Sequence, residues 1–216
     1  MTDDPTTLPG DDPDTLPAGD FSSWVDDLRA ALRGERPSVV PCNGCVACCT
    51  SSQFVLVAPD ETETLRRIPK RLLFPAPRRP PGYKVLGYDE RGHCPMLVDG
   101  RCSIYEHRPR TCRTYDCRVF AATGLDPGPG KEAIAERARR WRFDPLAREA
   151  DDHHRAARAA AAFLARHRGE LPENLVPADA TQLSVVAVQI HHLFLAPGAP
   201  DLEVVRKELA ALERLN

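Results

Sequence analysis

No stretch of this chain stays apolar for the roughly 20 residues a bilayer-spanning helix needs, so no membrane partner is expected. The first twenty residues also lack the marks of an export signal: Met1–Asp20 is Asp, Thr, Pro and Gly, with neither a basic start nor an apolar core. Without export the expected compartment is the cytoplasm, where reducing thiols disfavour disulfides. Aromatic residues are scarce, at 6%, which leaves little surface for stacking on unpaired bases. A net charge of −2 exerts no global pull on nucleic acid. Nor is there a Ser/His/Asp arrangement, a phosphate-cradling glycine loop or an HExxH helix, and Pro127-Gly-Pro-Gly130 reads as a linker. These gaps remove the commonest hydrolase, nucleotide-binding and metalloprotease readings.

What the chain has is cysteine. All eight cysteines fall between Cys42 and Cys117. The first four form Cys42-Asn-Gly-Cys45-Val-Ala-Cys48-Cys49, and the others are Cys94, followed by Pro95, then Cys102, Cys112 and Cys117. Thiolates two residues apart can wrap one centre, and many soft donors together select zinc, copper(I) or iron–sulfur chemistry. All eight are therefore candidate metal ligands. CxxCxxC with a distant Cys-Pro is the ligand pattern of bacterial ferredoxin clusters, which groups Cys42, Cys45, Cys48 and Cys94 around one centre. The sequence admits one centre or two; with two, Cys49, Cys102, Cys112 and Cys117 complete the second. Gly44 suits a loop that needs unusual backbone angles, and Cys49 is expected to point away from Cys48.

An iron–sulfur cluster is the preferred cofactor and zinc the alternative. The second CxxC of a zinc ribbon is missing, since the later cysteines are separated by gaps of seven, nine and four residues. Residues 66–118 carry thirteen Lys or Arg against five acids, and cations beside thiols favour the thiolate form. Among the histidines, His93 could replace a cysteine. His153-His154 and His191-His192 offer at most one ligand per pair and site, because helix neighbours diverge by about 100°. His191-His192 lies in an apolar helix and reads as packed or capping.

Residues 42–118 resemble the YkgJ-type cysteine-cluster family, a zinc- or iron-chelating domain. The likeness rests on CxxCxxCC, Cys94-Pro-Met-Leu97 and Cys102-Ser-Ile-Tyr-Glu-His-Arg-Pro-Arg-Thr-Cys112-Arg-Thr-Tyr-Asp-Cys117. The resemblance implies a bacterial, cytoplasmic protein, often labelled an iron–sulfur oxidoreductase, whose reaction is mostly undefined. Flagellin lysine methylases have a similar Cys-rich portion, so a methyltransferase-related enzyme is one alternative. A zinc-stabilised interaction module binding nucleic acid or an acidic protein is another. The expected partner is otherwise a protein or redox partner. Within the matched motif, Ile104 and Tyr105 are expected to pack beside the site, Pro109 to open a turn, and Arg108 and Arg113 to neutralise thiolate charge.

The expected fold is α+β and predominantly helical: a small irregular Cys-rich module with a short β-hairpin, plus flanking and C-terminal helices. Residues 1–20 form a disordered tail, 21–127 the Cys-rich domain with an N-terminal helix at 22–33, and 128–216 a helical region. Tyr83–Tyr88 and Pro95–Val98 are read as the two strands of the hairpin, residues 69–82 as an irregular connector, and Asp99-Gly100 as a tight turn. Helices are expected at 132–142, 145–168, 183–195 and 202–215, with Asp179 and Gln182 forming a capping box.

Overall fold

A computed structural model describes residues 14–36, 38, 40, 42, 44–77, 79–144 and 148–215. In chain order, β1 (Leu16–Gly19) leads into α1 (Phe21–Leu32), followed by β2 (Val55–Val57), α2 (Thr62–Arg67), β3 (Leu73–Pro75) and β4 (Lys84–Leu86). The hairpin strands β5 (Leu97–Val98) and β6 (Arg101–Cys102) precede two short helices, α3 (Arg110–Thr114) and α4 (Arg118–Thr123). Then come α5 (Glu132–Arg140), β7 (Trp141–Phe143), α6 (Arg148–Arg166), α7 (Ala180–Ile190) and α8 (Leu202–Leu215). The class is α+β with helix predominating, as expected.

The chain forms two compact units that interleave along the sequence. One comprises the described part of Met1–Asp26 with Arg118–Leu125 and Glu136–Glu213; the other comprises Asp27–Cys117, Asp126–Ala135 and the described end of the chain.

The first unit is a helical body with one parallel strand pair. Its core is built on α6, where Ala156, Ala160, Ala161 and Leu164 form a buried stripe at helical spacing. Small alanines let Ala187 and Ile190 of α7, and Val205 and Leu209 of α8, pack closely against that stripe. Asp179 accepts from Gln182 N at 2.9 Å and Gln182 Oε1 accepts from Ala178 N at 2.6 Å, so the capping box forms with its return bond one residue early. Residues 1–13 of the expected tail lie outside the described residues, and β1 pairs in parallel with β7, Leu16 opposite Trp141 and Gly19 opposite Phe143. A pairing across more than a hundred residues leaves no local signal. Asp20 caps α1 by accepting from Ser23 N at 2.8 Å. That bond holds the Asp20 carboxyl below its usual pKa.

Phe21 is fully buried and anchors an aromatic cluster, with ring centroids 4.9 Å from Phe143, 5.4 Å from Trp24 and 5.4 Å from His154. His191 is packed, as expected, at 2% exposure. Its Nδ1 bonds Val188 O at 2.6 Å and its Nε2 bonds His153 Nδ1 at 2.9 Å. Since a carbonyl can only accept, Nδ1 of His191 carries the proton, and Nε2 of the neutral ring accepts from His153. Burial lowers the pKa of His154 below its ordinary 6.5, against the smaller opposing effect of its bond to Ala121 O. In the unfolded chain His154 takes up a proton as pH falls through about 6.5, while the folded state resists. This contribution to stability is thus intact above that pH and lost below it. Thermal melts followed by circular dichroism should show the midpoint falling between pH 7 and pH 5. A His154→Gln variant should flatten that fall.

The second unit holds a three-stranded antiparallel sheet ordered β2-β4-β3 and a separate β5–β6 hairpin. The expected pairing of residues 83–88 with 95–98 does not occur. β4 instead lies between β2 and β3, and β3 occupies the stretch read as an irregular connector. Pro69, Pro75, Pro77 and the Pro80-Pro81 pair mask this short strand in the sequence. The Asp99-Gly100 signal does hold. Both residues have positive φ, 49° and 72°, as a two-residue type I′ turn requires, and they connect β5 to β6. Val57, Ile68, Leu86, Met96 and Ile104 form a small buried core against which Cys94 and Cys102 pack.

Candidate metal centre

The CxxCxxCC run lies in this second unit, in a turn followed by a short helical coil. Cys45 N bonds Cys42 O at 2.8 Å and Gly44 has φ of +79°, the conformation its position predicted. Cys49 N and Thr50 N both bond Val46 O, and Ser51 Oγ bonds Ala47 O at 2.8 Å, which tightens the run. Ala47 N points at Cys45 Sγ at 3.4 Å, so a backbone amide faces a sulfur. Cys49 does not turn away from its neighbour: the Cys48 and Cys49 sulfurs are 4.0 Å apart. That contact, with burial, raises the Cys48 thiol pKa far above the usual thiol range.

The later cysteines are brought to this run by backbone bonds. Cys94 N bonds Cys49 O at 2.7 Å, fastening the loop before β5 to the end of the first run. Cys102 sits opposite Leu97 in the hairpin, and both Cys94 and Cys102 pack on the small core. Cys112 rides on α3, whose Thr111 Oγ1 donates to Leu56 O of β2 at 2.8 Å. As a result Cys48, Cys94, Cys102 and Cys112 share one neighbourhood. Burial first, then the charges of Cys48, Cys94 and Cys102, push the Cys112 thiol up. Burial likewise raises Cys94, with smaller contributions from Cys102 and Cys48. The side chain of Arg108 acts the other way on Cys112, the role expected of it.

This gathering cuts across the expected partition, which put Cys48 and Cys94 in one centre and Cys102 and Cys112 in another. Cys42 stands at the exposed end of the run, while Cys45, Cys49 and Cys117 are half-buried; none of the eight joins a disulfide. Among the described residues no three or more His, Cys, Asp or Glu side chains close to the arrangement of a single-ion site. His93 lies in the loop before Cys94, with its amide bonded to Asp89 Oδ1 at 2.8 Å. The four gathered thiols suit a soft metal in their chemistry. Burial and the neighbouring thiols disfavour ionisation of Cys94 and Cys112, and positive charge among them would relieve that conflict.

Other residues of the matched motif divide. Ile104 is buried in the core beside Cys94 and Cys102, and Pro109 is buried immediately before α3. Tyr105, expected to pack, is instead 59% exposed and lies under the Arg108 guanidinium at 4.0 Å. Arg113 does not serve the thiols directly; it pairs with Glu61 at 3.7 Å.

Glu61 is the residue that sequence reasoning missed. Its side chain is almost fully buried and accepts from Ala58 N at 2.8 Å and from Arg110 N, so it ties the start of α2 to the start of α3. The helix that carries Cys112 is thus held by a buried carboxylate at its start as well as by the Thr111–Leu56 bond. The only local hint was an acid beside Asp60, itself paired with Arg110. Glu61→Ala strands two buried donors and is expected to cost about 2 kcal/mol. The predicted signature is a lower melting temperature together with weaker metal retention against a chelator.

Residues 41–138 match the family model described as "CxxCxxCC: Putative zinc- or iron-chelating domain". No curated protein and no solved structure matches the chain.

Proposed function

We propose that this chain, whose residues 41–138 match the CxxCxxCC family model, binds one soft-metal centre through Cys48, Cys94, Cys102 and Cys112, and that the centre is an iron–sulfur cluster. The family description supplies zinc or iron chelation in general terms. The observation that carries the finer reading is that four half-buried thiols, from the first run, the Cys94 loop, β6 and α3, come near enough to act on one another. One feature favours iron–sulfur over zinc: the run that supplies Cys48 has ferredoxin-like spacing, with a positive-φ Gly44 and an amide aimed at the Cys45 sulfur. Such a cluster, when bound, supplies one-electron transfer. The protein's contribution is to exclude water, hold the thiols in place, and set Arg108 beside Cys112.

Purification under anaerobic conditions, followed by iron, zinc and acid-labile sulfide analysis and a visible spectrum, tests this. The expected result is a coloured protein containing iron and sulfide. Stoichiometric zinc without sulfide would replace the cluster with a structural ion. A folded, metal-free protein would overturn the reading altogether.

A further inference from the structure

The β2-β4-β3 sheet buries only one of its faces. The register sets Val55, Leu86 and Leu73 opposite one another, and these join the small core. By alternation the next row, Leu56, Val85 and Phe74, faces the other way. A sheet face turned to water is ordinarily polar. Here Phe74 is 57% exposed, Phe54 is 68% exposed, and the exposed Tyr88 ring lies 5.1 Å from that of Phe54. Gly87 lies between the two phenylalanines, since a methyl there would sit 3.7 Å from Phe54 Cε1 and 4.0 Å from Phe74 Cε2. Phe54 and Phe74 thus flank Gly87, and the Tyr88 ring lies against Phe54.

Cations outnumber acids in the segments around them. Arg67, Lys70, Arg71 and Arg79 are exposed and have no ion-pair partner among the described residues. Lys70 and Arg71 lie in the 3-10 turn that leads directly into β3. Among nearby acids, Glu63 pairs with Arg66, Asp60 with Arg110 and Asp89 with Arg91, which leaves the exposed Glu90 as the acid to set against these four cations. Rings exposed on an antiparallel sheet, with surplus cations on an adjoining strand, match the two needs of an unpaired polynucleotide. Bases stack on ring faces and phosphates pair with cations. A second copy of the chain would set like charges against each other.

We propose that the Phe54–Phe74–Tyr88 face, with Lys70 and Arg71 beside it, binds single-stranded nucleic acid. The face does not involve the thiols, so this inference stands apart from the metal reading. It reverses the sequence-based expectation that stacking surface is lacking. The aromatics are few, but the sheet collects them.

Fluorescence anisotropy of the metal-loaded full chain with labelled RNA and DNA strands of about 20 nucleotides, and with the matching duplexes, provides the test. The single strands should bind more tightly than the duplexes. Phe54→Ala with Phe74→Ala should weaken single-strand binding at least tenfold, with metal content and melting temperature unchanged. Lys70→Glu with Arg71→Glu should weaken binding and flatten its salt dependence by about two ions. Absent or salt-only binding, indifferent to the phenylalanines, overturns the proposal. So does binding of polyglutamate that the oligonucleotides fail to displace, which would mark an acidic-protein site. Self-association abolished by Phe74→Ala would also overturn it, in favour of a dimer contact.

Discussion

Replacing Cys94 with serine should strip the centre from the protein. Serine keeps the backbone N–H that bonds Cys49 O at 2.7 Å, so the chain path survives while the soft donor is lost. Structural metal binding by four ligands is worth about 10–16 kcal/mol. Loss of one ligand should therefore cost about 3 kcal/mol, a hundredfold or more in metal affinity. Metal content after gel filtration should drop to near zero, and the second unit should melt earlier. Cys42→Ser, at the exposed end of the run, should lose much less. Equal losses in both variants would mean that the centre lies within the first run and not where Cys94, Cys102 and Cys112 meet Cys48.

The second large effect is expected in the helical unit. Phe21 has no exposed surface and touches the rings of Trp24, Phe143 and His154. Truncation to alanine leaves a cavity and should cost about 3–5 kcal/mol. Denaturant titration with tryptophan fluorescence, sensitive to Trp24 and Trp141, should show the midpoint falling sharply. Metal stoichiometry at low denaturant should stay at the wild-type value, because the gathered thiols belong to the other unit. Parallel loss of metal in Phe21→Ala would contradict that separation.

These two predictions also show what could be read from residues alone. The helices were legible because their apolar periodicity and caps are local, as with Asp179 and Gln182 before α7 or Asp201, whose Oδ1 accepts from Glu203 N at 2.7 Å. The Asp99-Gly100 turn was legible because only a few residues tolerate two positive φ values in succession. Strand partners were not legible. β1 finds β7, and β4 finds β2 and β3, through contacts that no window of sequence contains. The thiols behave the same way. That they bind metal is written in their spacing, whereas which four meet depends on the Cys94–Cys49 backbone bond and on the Glu61 anchor of α3. Tyr105, expected inside and found exposed, shows the reverse case, since its ring found a partner in Arg108 rather than in the core.

The most direct test of the four-thiol centre is differential alkylation of anaerobically purified protein, with thiols tagged before and after metal removal and located by mass spectrometry. The account predicts that Cys48, Cys94, Cys102 and Cys112 react only after the metal is removed. Equal reactivity of these four before and after removal, in a folded protein, would contradict it.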